Sequence, residues 1–80
     1  MSVIYELHNI ILYHRKQAKL SRKELAELAG VGKTVIYDIE KGKKTVKWST
    51  ITTILEALNI DIVFQSPLME EYEKSINKNT

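Results

Sequence analysis

SRKELAELAGVGKTVIYDIEKG, residues 21–42, decides the fold. Ser21-Arg-Lys-Glu24 has the pattern of a capping box, in which the serine oxygen accepts from the amide of Glu24 and the glutamate carboxylate reaches back to the amide of Ser21. A helix is expected to start there, to carry Leu25, Leu28 and Ala29 on one face, and to stop at Gly30, a residue that enters the left-handed region without penalty. Gly30-Val31-Gly32 then reads as a turn. A second short helix is expected from Lys33 to Glu40, with Ile36 and Ile39 inward and Gly42 at its end. Its other face carries Lys33, Thr34, Tyr37 and Asp38.

Towards the N-terminus, Leu7, Ile11, His14 and Ala18 recur at helical spacing and Ile4 extends the stripe, which predicts a helix over 3–17. Ile10 and Tyr13 lie off that stripe, and either widen the buried face or touch a second subunit. Beyond the basic loop 41–47, Trp48, Ile51, Ile54, Leu55 and Leu58 predict a fourth helix ending near Asn59. The period then changes. Ile60, Ile62 and Phe64 alternate with polar or β-branched neighbours, so 60–65 reads as a strand that Ser66-Pro67 ends. Leu68, Met69, Tyr72 and Ile76 allow a short helix in the tail. The expected organisation is one helical domain over 1–60, a strand over 61–66 and a tail over 67–80.

Composition limits what such a chain can do. Eighty residues, 44% of them hydrophobic, suit one small domain with little room for a large catalytic cleft. There is no cysteine, so neither disulfides nor thiolate metal sites can form, and a cytoplasmic location is expected. His8 and His14 are six apart on one predicted helix and face different ways, with no nucleophile or ligand-spaced partner. No catalytic, metal or cofactor site is expected. The apolar stretch from Val3 to Tyr13 is interrupted by Glu6, His8 and Asn9, and no segment approaches a membrane span or a leader peptide. The net charge of +2 is unevenly placed: residues 1–50 hold ten Lys and Arg against five acids, and residues 51–80 hold two Lys against five acids. A basic front half and an acidic rear suit a polyanion on one side only.

Two short helices joined by a tight glycine-containing turn form a unit whose second helix fits the DNA major groove, about 12 Å wide, while the first crosses the backbone. On such a helix Lys33 suits guanine acceptors, Thr34 donates or accepts, Tyr37 does both at longer reach, and Val35 can meet a thymine methyl.

Leu20-Ser-Arg-Lys-Glu-Leu-Ala-Glu-Leu-Ala-Gly-Val, followed by Ile36-Tyr-Asp-Ile-Glu-Lys-Gly-Lys, resembles the phage-repressor-like (Cro/C1, XRE) helix-turn-helix regulators over roughly residues 4–60. The resemblance implies an all-α, lambda-repressor-like domain of four to five helices that binds double-stranded DNA. It places Lys33, Thr34, Tyr37 and Asp38 at base-reading positions and Arg22, Lys43, Lys44 and Lys47 near phosphates. It also implies a partly buried ion pair between Arg15 and Glu40, structural in role. Two positions depart from the family pattern. Gly32 stands where a serine or threonine usually caps the recognition helix, and Asp38 puts an acid among phosphates. Asp38 is either a specificity determinant accepting from a base amino group or a bystander held by Lys41 or Arg22.

A lone strand needs a partner for its backbone groups, and a second subunit can supply it. Two antiparallel copies of 61–65 across a two-fold axis would use Ile60, Ile62, Val63 and Phe64 for dimerisation. Leu58-Asn-Ile-Asp-Ile-Val-Phe loosely resembles the chain end of HipB-type antitoxins, which implies a toxin protein as a further partner, reached through the acidic rear half and the 68–80 tail. The reading from these residues is a homodimeric repressor on a palindromic operator. The alternatives are an antitoxin that also regulates its own operon, and a protein-interaction module whose binding would vary little with salt.

Overall fold

The computed structural model describes residues 3–77, with side chains described over 6–76. Five helices follow one another: α1 (Val3–Gln17), α2 (Arg22–Ala29), α3 (Lys33–Glu40), α4 (Trp48–Ala57) and α5 (Met69–Asn77). None of them is long and apolar enough to cross a membrane.

The first four helices close around Ile11, Leu25, Ala26, Ile36, Ile39, Ile54 and Leu55, all buried. Leu7, Leu20, Val31, Val35, Ile51 and Ile60 pack partly buried against that cluster. Such a core binds α2 to both α3 and α4, and α1 to α3. The turn geometry is therefore fixed from both sides by apolar burial.

Each of the four core helices ends in the same way. After α2, Gly30 at φ 73° turns the chain, and the Val31 amide donates to the carbonyl of Ala26 at 2.9 Å. After α3, Gly42 at φ 83° does so, with the Gly42 amide on Ile39 and the Lys43 amide on Asp38. Asn59 at φ 58° repeats the arrangement after α4, where the Ile60 amide donates to Leu55 at 2.9 Å. Lys19 at φ 59° repeats it after α1, where the Leu20 amide donates to Arg15 at 3.1 Å. Paired backbone bonds around one left-handed residue are the Schellman solution to orphan carbonyls. The amide of Glu24 donates to Ser21 Oγ at 3.0 Å and the amide of Ser21 to Glu24 Oε1 at 2.8 Å, so the capping box opens α2 as expected.

Several burial assignments need correcting. His14 and Ala18 are exposed, and the inward face of α1 is instead Leu7, Ile11 and Arg15. Arg15 replaces an apolar residue there because Glu40 neutralises it. Leu28 is 61% exposed and Ala26 takes its place in the core. Trp48 is also largely exposed, at the lip of a cleft with Leu7, Val46 and Ile51. Tyr13 is exposed and Ile10 half-buried.

The strand expected at 61–66 is not formed in the single chain: residues 60–66 belong to no regular element. The physical reason is that no other segment of the described chain is extended beside them to complete a ladder. Ile60 rests on the core, whereas Ile62, Val63 and Phe64 are exposed. Beyond them α5 makes no substantial packing contact with the other helices.

Candidate nucleic-acid interface

The interface is built around the buried carboxylate of Glu40, the last residue of α3, whose side chain is only 3% exposed. Its Oε2 accepts from Arg15 Nε, and its Oε1 accepts from Arg15 Nη2 at 3.1 Å and from Arg22 Nε at 2.9 Å. Arg15 Nη1 donates to the carbonyl of Leu20 at 2.9 Å, and His8 Nδ1 donates to the carbonyl of Glu40 at 2.9 Å. These bonds tie α1, the turn before α2 and the end of α3 into one unit. The ion pair implied by the family resemblance is present, and it is a triad rather than a pair.

Arg22 carries the network outwards. Its guanidinium carbon lies 5.2 Å from the centre of the Tyr37 ring, and the Lys41 ammonium lies 4.4 Å from the same ring. Both distances fall within the range of cation–π attraction. Lys41 holds the Tyr37 phenol below its ordinary pKa, first by hydrogen bonding and then by its charge, with Arg22 adding a smaller effect. Tyr37 thus sits at the outer surface of α3 between two cations, 42% exposed.

Lys33 and Thr34 are exposed at the start of α3, and Gly32 supplies no side-chain cap to that helix. Asp38 is half-buried, and neither Lys41 nor Arg22 holds it. Its partner is Lys43, at 3.5 Å, because the chain reverses at Gly42 and returns Lys43 beside the last turn of α3. Val35, Asp38, Lys43, Lys47 and Thr50 line one shallow groove between α3 and the loop that follows. Lys44 is exposed on the same loop.

The structure therefore sets Arg22 and Lys41 against Tyr37, and brings Asp38, Lys43 and Lys47 together along one groove. Lys41 is the residue that sequence reading missed. Its signal was the spacing from Tyr37, which puts an ammonium over a ring one helical turn away. Ile60 and the exposed Ile62, Val63 and Phe64 lie apart from this group, beyond the C-terminal end of α4.

The sequence pattern of a helix-turn-helix family matches residues 11–65, which include α2, the turn and α3. The chain belongs to the Cro/C1-type (XRE) helix-turn-helix family. A protein of Sinorhizobium fredii (strain NBRC 101917 / NGR234), named as an uncharacterized HTH-type transcriptional regulator, y4mF, is 38% identical over 53 residues, 66% of this chain and 70% of that protein. A solved structure named MDT Protein superposes with a TM-score of 0.75 at 21% identity, over 84% of this chain and 94% of that one, and is similar in fold. Fold and family together make this an XRE-type domain whose activity is DNA-binding regulation of transcription. Within this domain Arg22 and Lys41 concentrate positive charge around Tyr37 at the outer surface of α3.

Proposed function

We propose that this XRE-family chain is a sequence-specific repressor that binds as a homodimer to a palindromic operator, with α3 in the major groove. The observation that carries the reading is the outer face of α3. Lys33 and Thr34 are exposed there, and Tyr37 is flanked by Arg22 and Lys41. Lys33, Thr34 and Tyr37 read base edges. Arg22, Lys43, Lys44 and Lys47 contact phosphates, so affinity falls steeply with salt. Asp38, partnered by Lys43, keeps that lysine beside the groove and tempers its charge.

Dimerisation through Ile60, Ile62, Val63 and Phe64 explains why three of these apolar side chains stay exposed in one chain. Antiparallel pairing of 61–65 across a two-fold axis would give the segment its missing ladder. Two α3 helices then meet half-sites about 34 Å apart, one turn of DNA.

The test is binding of the purified protein to the DNA upstream of its own gene, measured beside random DNA over a range of salt. Lys33→Ala is expected to relax discrimination between operator variants, whereas Lys44→Ala weakens all DNA alike and lowers the salt slope by about 1. Identical effects of the two changes on operator and random DNA would defeat this assignment of roles. A shallow salt dependence would favour an interaction module instead.

A further inference from the structure

Beside the loop that follows α3 lies a concave apolar groove of about 230 Å³. The buried Ile39 and the half-buried Leu7, Val46 and Ile51 form its wall, drawn from three helices and the loop, and Trp48, 55% exposed, stands at its lip. The charges that line it are of one sign: Lys43 and Lys44, with His8 beside them and no acid among the described lining residues. Trp48 is also the first residue of α4, whose N-cap Lys47 supplies no side-chain acceptor, so the partial positive charge of that helix end adds to the lysines. We infer that this groove is a binding site for a small organic anion, one ring or short alkyl chain carrying a single carboxylate. Its apolar part fills the groove and its carboxylate pairs with Lys43 and Lys44. The binding site stands independently of the DNA reading, and its effect on regulation rests on that reading.

Size and charge together select the occupant. Sites for drug-sized ligands hold about 300–1,000 Å³, so this smaller groove takes about ten non-hydrogen atoms and leaves no room for a docked helix. Hydrocarbon laid against the wall and the exposed Trp48 ring removes apolar surface from water, and the one-signed rim favours an acid over its neutral or cationic counterparts. Position gives the consequence. Lys43 and Val46 line both this groove and the neighbouring one that holds Asp38, Lys47 and Thr50. A carboxylate on Lys43 and Lys44 therefore takes two cations away from DNA phosphates. The anion acts as an inducer, and anion and DNA weaken one another's binding by the same factor.

Trp48 is the one tryptophan of the chain and is exposed, so covering it moves its emission to shorter wavelength. The probes are 3-phenylpropanoate, 3-phenylpropanamide and 3-phenylpropylamine, titrated into the full chain at constant ionic strength. The acid is expected to bind with a dissociation constant of about 1 mM or below, the amide at least about 10-fold more weakly and the amine not measurably. Similar binding of all three would overturn the anion site in favour of unselective apolar contact, and no response to the acid well above that concentration would overturn the site altogether. Val46→Phe fills the groove from a half-buried position and should abolish the shift while far-ultraviolet circular dichroism stays unchanged. Lys43→Gln with Lys44→Gln should lower the affinity for the acid to that for the amide, and a double variant that still prefers the acid would overturn the role of the lysines. In anisotropy titrations of labelled DNA, saturating acid is expected to lower DNA affinity by about 5-fold or more, and the amide to leave it unchanged. An acid that binds without affecting DNA would overturn the inducer role alone. Failure of the chain to bind DNA would defeat the repressor reading and the inducer role with it, while the Trp48 titration still decides the site.

Discussion

Replacing Glu40 by glutamine keeps the shape of the side chain and removes its charge, which makes it the most informative perturbation of this fold. The Arg15 guanidinium, 9% exposed, would then be buried against a neutral amide that presents one donor group to donors. Breaking one side of a buried ion pair costs about 3–5 kcal/mol, because the remaining charge is left uncompensated. Arg22 adds little to that cost, since its side chain is 41% exposed and can return to water. A chain of this size has a total stability of about 4–12 kcal/mol, so a quarter or more of it is at stake. The expected loss in melting temperature is at least about 12 °C. Arg15→Met with Glu40→Leu removes both charges and should recover most of the loss. It should still fall short by about 1 kcal/mol, because the Leu20 carbonyl loses the Arg15 Nη1 donor. Urea unfolding followed by far-ultraviolet circular dichroism at fixed protein concentration measures both effects. Trp48, largely exposed, is a poor fluorescence reporter. A Glu40→Gln protein within about 1 kcal/mol of the parent at unchanged m-value would refute the reasoning.

Lys19→Gly should stabilise the chain by about 1 kcal/mol, because lysine holds the left-handed turn after α1 at φ 59° where glycine would sit without strain; a lower urea midpoint would contradict this. Hydrogen bonds from the backbone and side chain of Ser21 lower the Glu24 pKa below 4.5, so its stabilising effect is complete above that value and is lost as pH falls through the lower folded one. The difference in thermal midpoint between the parent and Glu24→Ala should accordingly be present at neutral pH and shrink below pH 4.5; a difference that does not change with pH would rule out the ionised cap. Lys41→Ala should move the titration of Tyr37 up towards the ordinary 10.0, and Arg22→Ala should move it less, as followed by carbon NMR of labelled tyrosines. Equal shifts would mean that Lys41 is not the principal cause.

The four core helices were legible because their boundaries rest on local chemistry: the Ser21 and Glu24 cap, and Gly30, Gly42 and Asn59 at the left-handed positions. Lys19 in the same role was not legible, since nothing in a lysine signals positive φ. The inward face of α1 was misread because burial of Arg15 depends on Glu40, distant in sequence, while apolar periodicity ranks His14 and Ala18 above a cation. Leu28 was misread for a related reason. An apolar residue on a short amphipathic helix reads as core whether it fills the interior or stands at the lip of a surface groove. Of the candidate site, residue types and positions could be read, but pairings could not. Arg22 goes to Glu40 and Tyr37, and Asp38 to Lys43, because these contacts depend on how α2, α3 and the returning loop meet.

That pairing pattern bears on how the interface would work. Glu40 holds Arg22 by Nε, and the Tyr37 ring lies beside the same guanidinium, so the arginine is oriented before any polyanion arrives. An oriented long side chain loses less rotamer entropy on making a phosphate contact than a free one, for which the ordering cost is about 0.5–1.5 kcal/mol. The opposing effect is that Glu40 partly neutralises Arg22. Burial decides between the two: Glu40 is already committed to Arg15, so the triad as a whole keeps one positive charge, and Arg22 is its exposed end. A charge fixed in the core thereby sets the position of a charge at the surface. In the proposed DNA complex, Glu40→Gln would accordingly loosen Arg22 even at temperatures where the variant stays folded. Its DNA affinity should fall while the preference set by Lys33 and Thr34, at the far end of α3 from the triad, is kept, and discrimination by Tyr37, which packs on Arg22, should weaken.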